Sequence, residues 1–440
     1  MRSDHATGRP LFAGAVAIGV LLAAGTPIAA QVNLDWGPIK YSSCTPNDPV
    51  SKLQKRIDTG ILKLQFDEKH GYLRSVLSAL DISESSQMLV FSKTSHQLHR
   101  ISPWSARALY FNDHTYVGWV DNGDVIEASS MDPERGAMFF TLRQEKTARP
   151  KFVRDKGQCL SCHASAHTQG VPGYIVRSVY PSPSGQPHYG AGTFNTDHSS
   201  PLRERWGGWY VTGTHGKQRH MGNEVATDRD NPKLDVESGA NVTDLSKRTR
   251  TQSHLTKHSD IVALMVLEHQ AAMHNFITYA SYETRVSLFQ CAEMNRVFER
   301  PADHVSDSTK RRIRRASDKL LKYLLFSDEE PLSDRIQGTS SFAKEFSARG
   351  LRDRKGRSLR DFDLERRLFK YPCSYLINSD AFRLLPAQVK DHVYKRLWEI
   401  LTGRDDSGDF ALLSRADREA ILAILTDTHE GLPGYWKSGK

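Results

Sequence analysis

The chain has 440 residues and a formal net charge of +9, with five cysteines and 18 histidines. This length is enough for two or three domains with sizeable cores. The positive balance favours acidic partners or anionic surfaces, but a basic, solvated surface is the preferred explanation. Glycine-rich phosphate loops and nucleic-acid motifs are absent from the sequence, so we expect no nucleic-acid partner.

Residues 1–30 have the pattern of a secretory signal peptide. Two arginines precede an apolar run over residues 11–24, and small residues then lead to a predicted cleavage site after Ala30. An uncleaved N-terminal anchor is the alternative, but the run is short for a membrane span. No later stretch is apolar for long enough to cross a bilayer. We therefore expect an exported, periplasmic protein with no stable membrane span after cleavage.

Residues 31–155 are predicted to form an N-terminal domain that mixes helices and strands. Residues 48–59 and 71–80 are interpreted as short helices. From Gln87 onwards, short strand-like runs follow one another. Residues 121–124 read Asp-Asn-Gly-Asp, and this sequence favours a tight hairpin turn because it tolerates positive φ angles. The pattern predicts a small antiparallel sheet that leads the chain into the next region.

Three further segments follow. Residues 156–225 are rich in glycine and proline and are expected to form long loops. Residues 226–258 are polar and are interpreted as a linker or surface loop. Residues 259–440 are predicted to be a helical domain, with Ser259 as the N-cap of a long helix, or a broken pair of helices, from 261 to about 298. A later helix is predicted to begin at Pro386, and Ser414 with Asp417 resembles the capping box of another. The expected fold class is α+β: a small antiparallel β-rich N-terminal part, a loop-rich middle and a predominantly helical C-terminal part.

The loop-rich region contains the motif Cys159-Leu160-Ser161-Cys162-His163. Cysteines three residues apart lie on one side of a helical turn, so both thiols can reach the two vinyl groups of one porphyrin. His163 then lies where its imidazole can bind the iron on the same haem face. Random placement gives roughly 0.002 such motifs in a chain of this composition. The motif predicts one covalent haem c, attached at Cys159 and Cys162, with His163 as an axial ligand.

Two other interpretations of the cysteine pair remain open. A redox-active dithiol uses the same spacing without requiring the histidine. Zinc is the other, because His215 and His220 supply an H-x4-H pair, although the two pairs are farther apart than in a zinc finger. Three cysteines lie outside the motif, and the sequence does not give their disulfide pairing. They are Cys44, Cys291 and Cys373.

A six-coordinate haem needs a second ligand opposite His163. Met221 lies 58 residues downstream in a loop-like context and is the first candidate. His215, His220 and His269 are the alternatives. The choice has consequences, because thioether ligation raises the reduction potential relative to two histidines. A haem with no second protein ligand would have an open iron and would indicate catalysis or gas binding.

The chain resembles bacterial proteins described only as cytochrome c domain-containing. The resemblance is carried by the single CxxCH motif and by residues 205–216, which read RWGGWYVTGTHG. Residues 267–270 (LEHQ) and 369–375 (FKYPCSY) also resemble that group, and the similarity extends through most of the mature chain. The resemblance implies haem c binding and electron transfer. It implies no substrate and no particular distal ligand.

We therefore expect an exported mono-haem c-type cytochrome that transfers electrons to or from an unidentified redox partner. Basic clusters at 310–315 and 352–360 could dock an acidic partner, although a solvated helix face is the preferred interpretation. The alternative function is a haem c-dependent oxidoreductase or peroxidase-like enzyme with an open sixth iron position. A sensor or structural protein with a haem or zinc staple is the third hypothesis.

Overall fold

The computed structural model describes residues 34–405 and 407–436. The predicted signal peptide and its cleavage site therefore lie outside the described residues. The strands are β1 (Met88–Val90), β2 (Arg107–Phe111), β3 (Thr115–Trp119), β4 (Val125–Asp132), β5 (Gly136–Arg143), β6 (Phe152–Arg154), β7 (Arg177–Val179), β8 (Thr193–Asn195), β9 (Trp209–Tyr210), β10 (Gly213–Thr214) and β11 (Gln337–Gly338). The helices are α1 (Pro49–Asp58), α2 (Leu73–Ala79), α3 (Leu160–His163), α4 (Ile261–Val297), α5 (Asp307–Leu324), α6 (Phe342–Ala348), α7 (Asp380–Arg383), α8 (Ala387–Leu401) and α9 (Arg415–Thr428).

A seven-stranded antiparallel sheet dominates the N-terminal half, in the order β6-β5-β4-β3-β2-β1-β9. Its strands follow one another along the chain as hairpins, except that β9 returns to pair with β1. The predicted turn joins β3 to β4, and Asn122 adopts a φ of 55° there. Helices fill most of the C-terminal half. The expected α+β class is confirmed.

The two faces of the sheet differ in burial because successive side chains point to opposite sides. Side chains on one face are almost completely buried, and α1 packs against β4 and β6 beside them. Examples are Ala108, Tyr110, Val117 and Ile126, each 0% exposed. The opposite face is only half-buried in its middle part, at Leu109 for example. This second face is the one that lies beside the CxxCH motif.

The long helix α4 has 37 residues and begins at Ile261 as predicted, but its N-cap lies one residue later than expected. Asp260, not Ser259, is its N-cap, and its carboxylate accepts hydrogen bonds from the amides of Val262 and Ala263. The Ser259 hydroxyl instead donates to the Tyr210 carbonyl at 2.6 Å and accepts from the Leu89 amide at 2.9 Å. Ser259 therefore fastens the start of α4 to the β1–β9 edge of the sheet.

Within the described ranges, no helix is both long and apolar enough to cross a membrane. The long helix α4 is buried over most of its N-terminal half, where its side chains pack into the protein core. Near the C-terminus, Ser414 and Asp417 form the predicted capping box at the start of α9. Helix α8 begins after Pro386, also as expected.

We expect acid to destabilise the fold through its buried histidines, and His254 tests this. Burial lowers the pKa of His254 from 6.5 to about 4, and neither ring nitrogen has a hydrogen-bond partner among the residues that the structure describes. Because the folded state binds the proton less tightly than the unfolded state, the contribution of His254 to stability is present above pH 6.5. This contribution decreases progressively as the pH falls from 6.5 towards 4. At pH 5 the free energy of unfolding has decreased by about 2 kcal/mol.

The measurement is urea unfolding of wild type and His254→Leu at pH 7 and pH 5. Between pH 7 and pH 5, the free energy of unfolding of the variant should decrease by about 2 kcal/mol less than that of wild type. His99→Leu is the control, because the His99 side chain is 61% exposed. Equal pH dependence in wild type and His254→Leu would contradict the prediction.

Candidate functional site

The CxxCH turn (residues 159–163) is one isolated turn of helix between irregular segments. Asp155 holds its start, because one carboxylate oxygen accepts hydrogen bonds from the amides of Gly157 and Cys159 at 3.1 and 2.9 Å. The amide of His163 closes the turn on the Cys159 carbonyl at 2.9 Å. Both thiols are free; Cys162 is exposed and Cys159 is half-buried. Burial, together with the charge of Asp155, raises the pKa of Cys159 to about 12.

His163 is held in one tautomer and one orientation. Its Nδ1 donates to the Gly173 carbonyl at 2.9 Å, and the Gly173 amide donates back to the His163 carbonyl at 2.8 Å. The ring packs against Phe139 with 4.9 Å between centroids. Among the described residues, Nε2 has no hydrogen-bond partner. Burial lowers the pKa of His163, so the imidazole is neutral and its Nε2 lone pair is the one suited to a metal.

The sequence did not identify the groups that position Gly173. Asn275 of α4 does so from the far side: its Oδ1 accepts from the Tyr174 amide and its Nδ2 donates to the Tyr174 carbonyl, both at 2.8 Å. A Cβ at Gly173 would overlap the Asn275 side chain. Glycine is thus required at 173. The Tyr174 amide belongs to the same peptide group as the Gly173 carbonyl, so Asn275 orients the carbonyl that accepts from His163. A lone asparagine in a helix gives no sequence signal for such a role.

The half-buried face of the sheet lies beside the turn, and we call this part of it the floor of the site. Leu109 pairs with Gly118, and Gly118 pairs with Glu127, so all three lie on this face together with Phe139. A Cβ at Gly118 would lie 2.7 Å from Nε of Arg107, so glycine lets the Arg107 side chain cross β3. Arg107 Nη2 then donates to Glu127 Oε2 at 2.5 Å. The floor therefore combines accessible apolar surface with a charge pair.

Met221, the first candidate for the distal ligand, is buried, with 4% of its surface exposed. Its sulfur accepts a weak hydrogen bond from the Ser178 hydroxyl at 3.5 Å. Its amide donates to the Arg205 carbonyl at 2.9 Å. Among the described residues, no hydrogen bond connects the Met221 side chain to the CxxCH turn, so ligation by Met221 stays a prediction.

His269 lies in a buried aromatic stack of the helical half. Its Nδ1 shares a hydrogen bond with His198 Nδ1 at 2.8 Å, and its Nε2 shares one with the Ser374 hydroxyl at 2.8 Å. Phe326 and Tyr323 stack on the ring. Both ring nitrogens are thus engaged within the protein, and His269 as distal ligand also stays a prediction.

His215 and His220 pack against each other, with ring centroids 4.7 Å apart. His215 forms hydrogen bonds at both ring nitrogens, with the Gln218 carbonyl and the Asn241 amide. Nε2 of His220 is buried and has no partner in the described part of the chain. Over residues 34–405 and 407–436, no three His, Cys, Asp or Glu side chains are arranged to hold a metal ion. The zinc alternative needed these two histidines beside the two motif cysteines, and the structure does not bring the four together.

The remaining cysteines take no part in this site. Cys44, Cys291 and Cys373 are all free, so none of them forms a disulfide. The Cys44 thiol donates to the Tyr41 carbonyl at 3.1 Å, and Cys373 is fully buried.

Comparison of the chain with protein-family models, with curated proteins and with solved structures found no match.

Proposed function

We propose that this chain is an exported mono-haem c-type cytochrome that acts in electron transfer. Cys159 and Cys162 would hold the haem covalently, and His163 would be an axial ligand of the iron. One observation carries the proposal: two free thiols share a turn with a histidine whose Nδ1 is fixed by a carbonyl and whose Nε2 has no hydrogen-bond partner among the described residues. A dithiol site alone would not need a histidine held in this way.

The residues around the turn fit a large, partly apolar ligand. Haem, when bound, would supply reversible one-electron chemistry at the iron. The Gly173 carbonyl keeps the proton of His163 on Nδ1, and Phe139 keeps the ring from rotating. The half-buried Leu109 offers apolar surface on the same sheet face as Phe139, which is itself buried against the turn. The N-terminal signal pattern agrees with this proposal, because haem c is attached outside the bacterial cytoplasm.

The test is a visible absorption spectrum of the full chain, exported with haem c maturation machinery, in oxidised, reduced and carbon-monoxide-treated forms. We expect a sharp reduced α-band that carbon monoxide does not change, which indicates two protein ligands and an electron-transfer role. His163→Ala should alter this band and the redox activity, because it removes an axial ligand. His99→Ala is the control, since the His99 side chain is 61% exposed and takes no part in the contacts around the turn.

Each other result has a defined meaning. A band that shifts with carbon monoxide would indicate an open or labile sixth position and would favour the oxidoreductase alternative. An unchanged spectrum and potential in His163→Ala would rule out His163 as a ligand. Wild-type protein without any haem band would refute the proposal as a whole.

A further inference from the structure

The two-stranded β7–β8 ribbon brings an arginine to the CxxCH turn. Arg177 of β7 is the direct partner of Asn195 in β8. Directly paired residues point to the same side of a ribbon. The Asn195 side chain reaches the segment that follows the turn, with its Nδ2 2.6 Å from Nδ1 of His167. The Arg177 side chain therefore lies on the side of the ribbon that faces the turn.

A second contact places the same ribbon over the half-buried face of the sheet. The indole Nε1 of Trp209 donates to the Arg177 carbonyl at 2.8 Å. Trp209 pairs with Val90, and Val90 pairs with Arg107, so these three side chains form a row on that face. Phe139 lies on the same face and packs against the His163 ring, with 4.9 Å between centroids. Arg177 and the turn thus border one region of the sheet.

The guanidinium of Arg177 has no partner among the side chains that the structure describes. Its side chain is half-buried, and its Nε is buried with no hydrogen-bond acceptor. Among the described residues its guanidinium forms no hydrogen bond or ion pair. The nearby carboxylate of Glu127 is already occupied, by Arg107 at Oε2 and by Gln97 at Oε1. A partly desolvated guanidinium left unpaired is costly, unless an anion supplied by a ligand pairs with it.

We propose that Arg177 binds a carboxylate of the ligand held at the CxxCH turn, and that this carboxylate is a haem propionate. The inference rests on the proposed function. A guanidinium matches a carboxylate with two parallel hydrogen bonds, which a lysine ammonium cannot reproduce. A free carboxylate ligand would use the same chemistry, so the experiment must distinguish the two sources.

The first measurement is the reduction potential of the exported, haem-loaded chain in buffer without acetate. In Arg177→Gln the propionate charge loses its partner and favours the ferric state. We therefore expect a roughly tenfold shift of the redox equilibrium towards ferric, which is about 59 mV for one electron. Arg177→Lys should recover part of the shift. Arg143→Gln is the matched control, because the Arg143 side chain is 79% exposed.

Acetate titration of the Soret band is the second measurement. A lowered potential in Arg177→Gln, with no acetate effect on wild type, assigns the carboxylate to haem. An acetate-dependent shift in wild type that Arg177→Gln abolishes assigns it to a free ligand instead. An unaltered potential and no such acetate effect would overturn the carboxylate site alone. Wild-type protein without haem would overturn the proposed function, and the inference with it.

Discussion

Replacing Cys159 and Cys162 together by serine is expected to abolish covalent haem attachment while leaving the chain folded. Both thiols are free and lie on the same turn, so each can form one thioether bond to the porphyrin. Neither sulfur closes a disulfide that the fold would lose. The reporter is haem that stays on the polypeptide after denaturation, measured by intact mass and by a haem stain of a denaturing gel.

Cys44→Ser is the matched control, because Cys44 is also a free and half-buried cysteine but lies outside the motif. We expect this variant to retain all of its haem. Each single motif variant should keep one thioether bond and show a shifted α-band. Covalent haem in the double variant, or its loss in Cys44→Ser, would contradict the assignment of the attachment sites.

Local signals predicted local structure well. The Asn-Gly turn between β3 and β4 and the Ser414–Asp417 capping box each depend on residues a few positions apart, and the structure has both. The choice between Ser259 and Asp260 as N-cap was not decided locally, since both residue types can cap a helix. The hydrogen bonds of the Ser259 hydroxyl to β1 and β9 decided the choice, because they engage it away from the helix. The bond to Leu89 joins residues that are 170 positions apart in the sequence.

In the candidate site, too, features set by neighbouring residues could be predicted, and features set by long-range contacts could not. The CxxCH spacing is local, so the motif could be identified from the sequence. Gly173, Asn275 and Arg177 could not, because their roles depend on α4 and the β7–β8 ribbon packing around the turn. Periodicity identifies which face of an element is buried, but it does not identify which polar groups meet across elements.

The LEHQ stretch of α4 contains the most buried ion pair of the described chain. Glu268 Oε2 accepts from Arg205 Nη1 at 3.2 Å, and the two side chains are 0% and 4% exposed. The Thr196 hydroxyl donates to the other carboxylate oxygen at 2.6 Å. Arg205 also donates to the carbonyls of His198 and Ser200. The pair therefore connects α4 to the loop that leads from β8 to β9.

At pH 8, where Glu268 is mainly ionised, Glu268→Ala is expected to lower the free energy of unfolding by about 3–5 kcal/mol, because it leaves the Arg205 charge buried without its counter-ion. Arg205→Ala should cost a similar amount, and the double variant should lose less than the sum, which a double-mutant cycle in urea measures. Glu419→Ala is the control: its partner is Arg415 in an exposed pair, and we expect no measurable change. Additive losses at Glu268 and Arg205 would contradict the coupling.

The pH dependence of Glu268→Gln gives a second test of the same pair. Burial outweighs the attraction of Arg205 and raises the pKa of Glu268 from 4.5 to about 7. The folded state thus holds this proton more tightly than the unfolded state, so the contribution is present below pH 4.5 and lost as the pH rises through 7. Glutamine does not titrate. Relative to wild type, Glu268→Gln should therefore be more stable at pH 8 than at pH 5, and the opposite trend would show that Arg205, not burial, dominates at Glu268.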